Sequence, residues 1–162
     1  MSSDMSRVVV LGVGNLLRQD EGVGVHAVRA LSGVHFGEWA EFVDGGTAVF
    51  EALSGWQEIE KLIVIDAVRA GREPGSVSRL SLREVADRTA PALSVHEHGL
   101  LDALGLLKQA GLRVGETVIY GVEPAAAGWG TDLSAEVAAS LPLLAARLRD
   151  ELALESVEET PI

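Results

Sequence analysis

The chain has 162 residues, 48% hydrophobic and 23% charged, the makeup of one globular domain that buries its core without staples. It has no cysteine, which excludes disulfides, thiolate nucleophiles and cysteine-based zinc sites together. The formal net charge is −11, and residues 150–162 hold five acids and no base. Such a field repels nucleic acid and anionic membranes and favours cations or basic partner segments, with plain solubility as the other reading.

In chain order, the first seven residues carry one arginine and lead into an apolar run of four, Val8 to Leu11, too short for a signal-peptide core. No stretch of about 18 apolar residues follows, so the expectation is a cytoplasmic protein without a membrane span. The runs 7–12 (RVVVLG), 61–66 (KLIVID) and 117–122 (TVIYGV) are β-rich and continuously apolar, the pattern of parallel strands buried on both faces. Residues 40–44 (AEFVD) form a weaker strand of the same kind, and 76–80, of mixed polarity, an edge strand.

Between the strands lie helical patterns. Val23, Ala27, Ala30 and Leu31 share one helix face, as do Leu100, Leu104 and Leu107 in a helix over 98–110 that Gly111 stops. Val137, Leu141, Leu144 and Leu148 line a last helix over 134–152, with Ser134 as N-cap and Glu136 in the first turn. Pro142 should kink that helix or split it in two. The expected architecture is a single α/β domain over 1–152, a mostly parallel five-stranded sheet with helices, followed by a frayed acidic tail over 153–162.

Ligands of open α/β sheets bind beyond the carboxyl ends of the strands. Four segments there carry unusual polar residues. The loop 12–24 (GVGNLLRQDEGVG) has glycines for tight geometry, Asn15 to cap its own turn, and Asp20 and Glu21 where a helix begins. Those acids read as a dipole-stabilised helix start or as ligands. A dinucleotide fingerprint fails in detail, because Leu17 stands where the third glycine belongs and the acids would repel a pyrophosphate. Asp44-Gly45-Gly46-Thr47 follows the second strand, and Asp66 ends the apolar run KLIVID, where a carboxylate is costly unless cleft-facing, paired or metal-bound. Residues 94–100 (SVHEHGL) place His96, Glu97 and His98 at a helix entry. If the first and third strands are neighbours, Glu21, Asp66 and His96 can converge into an open mixed-ligand set suited to Ni, Zn, Mn or Fe.

GVGNLLRQDEGVG, VDGGT, VIDA, SVHEHGL and GVEP, in this order between about Val8 and Leu152, make the chain resemble the nickel-iron hydrogenase maturation endopeptidases. The resemblance implies a twisted sheet packed between helices, and removal of a short C-terminal extension from the hydrogenase large-subunit precursor after nickel insertion. It implies a Glu, an Asp and a His touching the metal, which fall on Glu21, Asp66 and His96. The position after the ligand His is often Gln in the family; Glu97 stands there, with His98 next, so either His96 or His98 faces the metal.

The expected cofactor is nickel carried by the substrate precursor, with none bound tightly by this chain. The metal would gain ligands from Glu21, Asp66 and His96 and act as template or Lewis acid. With no GxSxG elbow, no HExxH and no cysteine, the expected attacking group is a water activated by Asp66 or by the metal, in an aspartyl protease-like manner. Asp44 is the second candidate base. Gly45, Gly46 and Thr47 form either a plain turn or a backbone edge that pairs with the extended substrate. His26 and His35 read as helix surface and loop, and Trp129, in the glycine-rich stretch AAAGWG, as a partner contact on the active edge. The alternatives are a nucleotide-binding α/β enzyme and a metal-dependent small-molecule amidohydrolase.

Overall fold

The structure, a computed structural model, describes residues 8–32, 40–86 and 95–158, with the backbone alone described at 95–98 and 154–158. Five strands, β1 (Val8–Val13), β2 (Ala40–Gly46), β3 (Glu58–Ala67), β4 (Val77–Ser81) and β5 (Arg113–Val122), form one sheet in the order β2-β1-β3-β5-β4. Every pairing is parallel except β4 with β5, so the mixed-polarity segment is indeed an edge strand, running antiparallel. β-Branched residues dominate the central strands and point alternately to two cores. Val8 and Val10 of β1 and Ile63 and Ile65 of β3 face one side; Val9, Leu11, Leu62 and Val64 face the other.

Helix α1 (Val23–Leu31) and helix α5 (Ala135–Glu158) cover the first side. Helices α2 (Val49–Leu53), α3 (Leu82–Ala86) and α4 (Val95–Gln109) cover the second. The short helices α2 and α3 were not expected, having too few residues to show a helical period. Helix α4 begins three residues before the expected 98–110, so 96–98 fall in its first turn. Gly111, at φ +108°, lies just past its end.

Ser134 caps α5, its hydroxyl accepting from the Val137 N–H at 3.3 Å. Pro142 does not split this helix, which runs unbroken past Leu152 to Glu158. Pro142 and Ala138 both lie on the exposed face, where water can meet the carbonyl that proline leaves without a donor. The described residues include no helix long and apolar enough to cross a membrane.

The sheet order sets the place of the site. The chain leaves β1 toward β2 on one flank and returns to β3 on the other, so the strand order reverses at β1 and β3. The crevice beyond the carboxyl ends of such a pair is where open α/β sheets bind ligands. The loop after β1 and the end of β3 meet there: Gly12 lies beside Ile65 in register, and Asp66 comes next. Gly24 makes the close fit possible, because a Cβ on it would lie 2.1 Å from the Ile65 carbonyl oxygen and 2.4 Å from that of Val13.

Candidate functional site

The loop after β1 folds back on itself. Asn15 Oδ1 accepts from the Leu17 N–H at 2.9 Å, the expected side-chain turn. Gly14 has φ +139°, and a Cβ there would sit 1.9 Å from the Glu21 carbonyl oxygen, which accepts from the Asn15 N–H at 3.2 Å. The glycine therefore lets the loop close over the backbone of Glu21. Residues Gln19–Gly22 form a 3-10 turn ahead of α1, so Asp20 and Glu21 precede the helix rather than open it.

The two acids of that turn have opposite fates. Asp20 is fully buried. Its Oδ2 accepts from the Ala125 and Ala126 N–H groups at 2.9 and 2.8 Å and from the Ser134 hydroxyl at 2.8 Å, while Oδ1 accepts from the Ser134 N–H at 2.8 Å. Burial alone would raise its pKa, but these four hydrogen bonds outweigh burial and hold it below the ordinary aspartate value. Its ionised form is locked into structure. Glu21 instead keeps its side chain 20% exposed, with the nearest guanidinium groups at 3.7 Å (Arg69) and 3.9 Å (Arg18).

Asp20 fastens an arch, residues 125–134, over the loop. The Gln19 and Asp20 N–H groups donate to the Gly130 and Ala126 carbonyls at 2.9 and 3.0 Å, and the Gly130 N–H donates to Leu17 at 2.9 Å. Gln19 Oε1 accepts from the Gly128 N–H at 2.9 Å, and Arg18 Nε donates to the Ala127 carbonyl at 3.1 Å. His26, expected as plain helix surface, lies with Nε2 3.1 Å from the Thr131 carbonyl. Glu123 of the GVEP motif works the same way on the other flank. Its Oε2 accepts from the Ala70 N–H at 2.8 Å, fixing the segment after β3 that carries Arg69.

Asp66 is buried at the carboxyl end of β3, with Oδ1 accepting from the Ala67 N–H at 2.8 Å. Because Arg69 leaves the end of the same strand and reaches Glu21, the Glu21 carboxylate stands at this end of β3 too. His96 lies in the first turn of α4; its side chain, with those of Glu97 and His98, lies outside the described residues. One turn on, Gly99 lines a groove of about 430 Å³ with Val13, Thr47, Val49 and Phe50, so the start of α4 borders the same edge. Among the described residues, no three His, Asp or Glu side chains are gathered to hold a metal, and His96 stands outside that set.

Asp44 faces a second cleft of about 200 Å³ between the loops after β1 and β2. Its Oδ2 is gripped by Arg29, with Nε at 3.1 Å and the terminal nitrogen at 2.9 Å. Gly45 is buried, and a Cβ on it would lie 2.7 Å from the Leu11 side chain, so it serves close packing of β2 on β1. The Gly46 carbonyl accepts from the Gly14 N–H at 2.9 Å. Thr47 is exposed and borders both clefts. Trp56 is half-buried against the second core, and Trp39 and His35 lie outside the described residues.

A further buried acid, which no sequence pattern marked, lies away from this edge. Glu151 of α5 accepts from Lys61 Nζ at 2.7 Å, from Arg79 Nε at 2.7 Å and from the Tyr120 hydroxyl at 2.5 Å. Lys61 is buried and aligned with Val8, at the amino end of β1. Burial alone would raise Glu151; the hydrogen bonds from Arg79, Lys61 and Tyr120 overcome it and hold the acid at about 2. Burial and the Glu151 carboxylate push Tyr120 up to about 12.

A family model described as hydrogenase maturation protease matches residues 25–151. Hydrogenase 2 maturation protease of Escherichia coli K12 is 36% identical over 120 residues, covering 73% of each chain. The hydrogenase expression/formation protein HupM of Azotobacter chroococcum mcd 1 is 35% identical over 127 residues, which span 77% of this chain and 61% of that protein. Among solved structures, the hydrogenase maturating endopeptidase HybD from E. coli is similar with a TM-score of 0.71 and 31% identity, over 90% of this chain and 93% of that one. The [NiFe] hydrogenase maturation protease HybD from Thermococcus kodakarensis gives 0.74 and 28%, over 88% and 99%.

Proposed function

The chain belongs to the hydrogenase maturation proteases, and on that premise we propose that it removes the C-terminal extension of a [NiFe] hydrogenase large-subunit precursor once nickel is in place. In this reading the metal is part of the substrate and serves as the recognition element. The observation that carries it is the placing of Glu21: a part-exposed carboxylate at the carboxyl end of β3, the strand end that also holds buried Asp66, on a turn immobilised by Asp20. A part-exposed carboxylate whose only ion-pair contacts are long, 3.7 Å to Arg69 and 3.9 Å to Arg18, can exchange them for an incoming divalent metal and serve as its oxygen ligand. Asp66 and His96 complete the set from the end of β3 and the start of α4. Nickel arriving with the precursor supplies a template that fixes the scissile bond against this edge.

The bond is cut by water. The water oxygen bonds to the peptide carbonyl carbon, its proton passes to a carboxylate, and the amide nitrogen leaves with a proton. Asp66 is the better-placed base than Asp44, since Asp44 Oδ2 is already engaged by two nitrogens of Arg29 while Asp66 lies at the end of β3. The groove bordered by Thr47, Phe50 and Gly99 takes the extended residues of the extension, with the backbone at Gly46 and Thr47 at its mouth. The proposal includes a cytoplasmic site of action and no tightly bound cofactor.

The test is incubation of the purified chain with a nickel-loaded large-subunit precursor, read by mass spectrometry. One cut releasing the intact C-terminal extension is the expected result; a precursor left at full mass would overturn the assignment.

A further inference from the structure

Trp129 is 76% exposed and Leu17 57% exposed, the two most exposed large apolar side chains among the described residues. Single exposed apolar residues are ordinary on protein surfaces. These two are not independent. Leu17 and Gly130 are joined by a backbone hydrogen bond, Arg18 and Gly130 form a bridge, and the Arg18 guanidinium stacks over the Trp129 ring at 4.9 Å from its centre. The arch that carries Trp129 is held on both sides of it, at Ala127 and Gly128 and again at Gly130. The indole therefore stands outward on a fixed backbone, flanked by glycines, at little further entropic cost on binding.

The position of this pair matters as much as its exposure. Arg18 reaches from the Trp129 ring to within 3.9 Å of the Glu21 carboxylate, so one side chain spans the distance between the exposed indole and the candidate metal contact. A body that brings a metal to Glu21 abuts Leu17, Arg18 and Trp129. Aromatic and arginine side chains beside an apolar residue are the composition that protein interfaces favour.

We propose that Leu17, Arg18 and Trp129 form a docking platform for the folded body of the large-subunit precursor, separate from the groove that takes its extension. The proposal rests on the protease reading for the identity of the partner. It gives the chain two grips on one substrate: the platform holds the folded body, and the cleft sorts metal and scissile bond.

The experiment measures binding and cleavage separately for wild type, Trp129→Ser and Leu17→Ser, with nickel-loaded precursor immobilised for binding and free for cleavage. Trp129→Ser is expected to weaken precursor binding and raise KM about tenfold or more, with kcat near wild type and an unchanged melting temperature. Leu17→Ser should do the same to a smaller degree. A synthetic peptide of the extension alone should bind wild type and Trp129→Ser equally. Precursor affinity within twofold of wild type in both variants would overturn the platform. So would equal loss of affinity for the extension peptide, which would make the pair part of the cleft. A fall in the molecular mass of the protease alone in Trp129→Ser would identify the occupant as a second copy and overturn it too. If wild type binds the precursor but leaves it uncut while Trp129→Ser fails to bind, the protease reading falls and the platform stands.

Discussion

Glu21 and Glu151 are both acids on helical segments of this molecule, and their surroundings differ in kind. Glu151 is 3% exposed and takes hydrogen bonds from a lysine, an arginine and a tyrosine at 2.5 to 2.7 Å. Glu21 keeps its side chain 20% exposed, and its nearest cations stand 3.7 and 3.9 Å away on part-exposed side chains. The first carboxylate is fully compensated from within the chain. The second stays part-exposed and is compensated only by longer ion pairs. Burial of an acid does not distinguish a site from a strut; the distance and number of its compensating groups does. Asp20 sharpens the contrast, because it sits one residue from Glu21 and is treated like Glu151.

The largest effects are expected at the edge itself. Asp66→Asn should abolish release of the extension, by more than about a thousandfold if it is the base, with the fold intact by circular dichroism. Near-normal processing would remove any essential carboxylate from that strand end. Glu21→Gln should lower processing about a hundredfold while the melting temperature stays put, since the lost interaction is with the incoming metal. A large stability loss in that variant would return Glu21 to a structural role.

Glu151→Gln should do the reverse. Leaving buried Lys61 with the exposed, more distant Glu116 as its charged contact should cost about 3 kcal/mol in chemical denaturation, with cleavage per folded molecule unchanged. Asp20→Asn should show both effects in milder form, because its amide would face backbone donors and loosen the turn that carries Glu21. A loss of about 1–3 kcal/mol with a several-fold fall in processing is expected.

The smallest effect is in pH. Glu151 titrates at about 2 in the folded chain against an ordinary 4.5, so its contribution to stability is complete above pH 4.5 and lost as pH falls through 2. Melting temperatures of Glu151→Gln should therefore fall less steeply across that window than those of wild type. Parallel curves would mean that the depression of Glu151 is not what holds α5 to the sheet.

Much of this was written locally in the sequence. All five strands and the helices at 23, 98 and 134 are runs long enough for burial or period to show, and the loop 12–24 stands out as a candidate site by its glycines and acids. Helices α2 and α3 are five residues each and leave no period. Asp20 looked like a dipole-stabilised helix start because its partners, Ala125, Ala126 and Ser134, lie more than a hundred residues on. Lys61 stood at the start of the expected strand 61–66, and Glu151 near the end of the expected helix 134–152 among the five acids of 150–162, although they meet across 90 residues. Side chains at the two ends of such a pair carry no mark in sequence; only the sheet order brings them together.

Metal presented by the substrate to Glu21 is the centre of the proposed mechanism. The most direct measurement compares cleavage of the same large-subunit precursor in its nickel-loaded and metal-free forms by the wild-type chain. Release of the extension from the loaded form alone is the expected result. Equal release from both would remove the metal from substrate recognition.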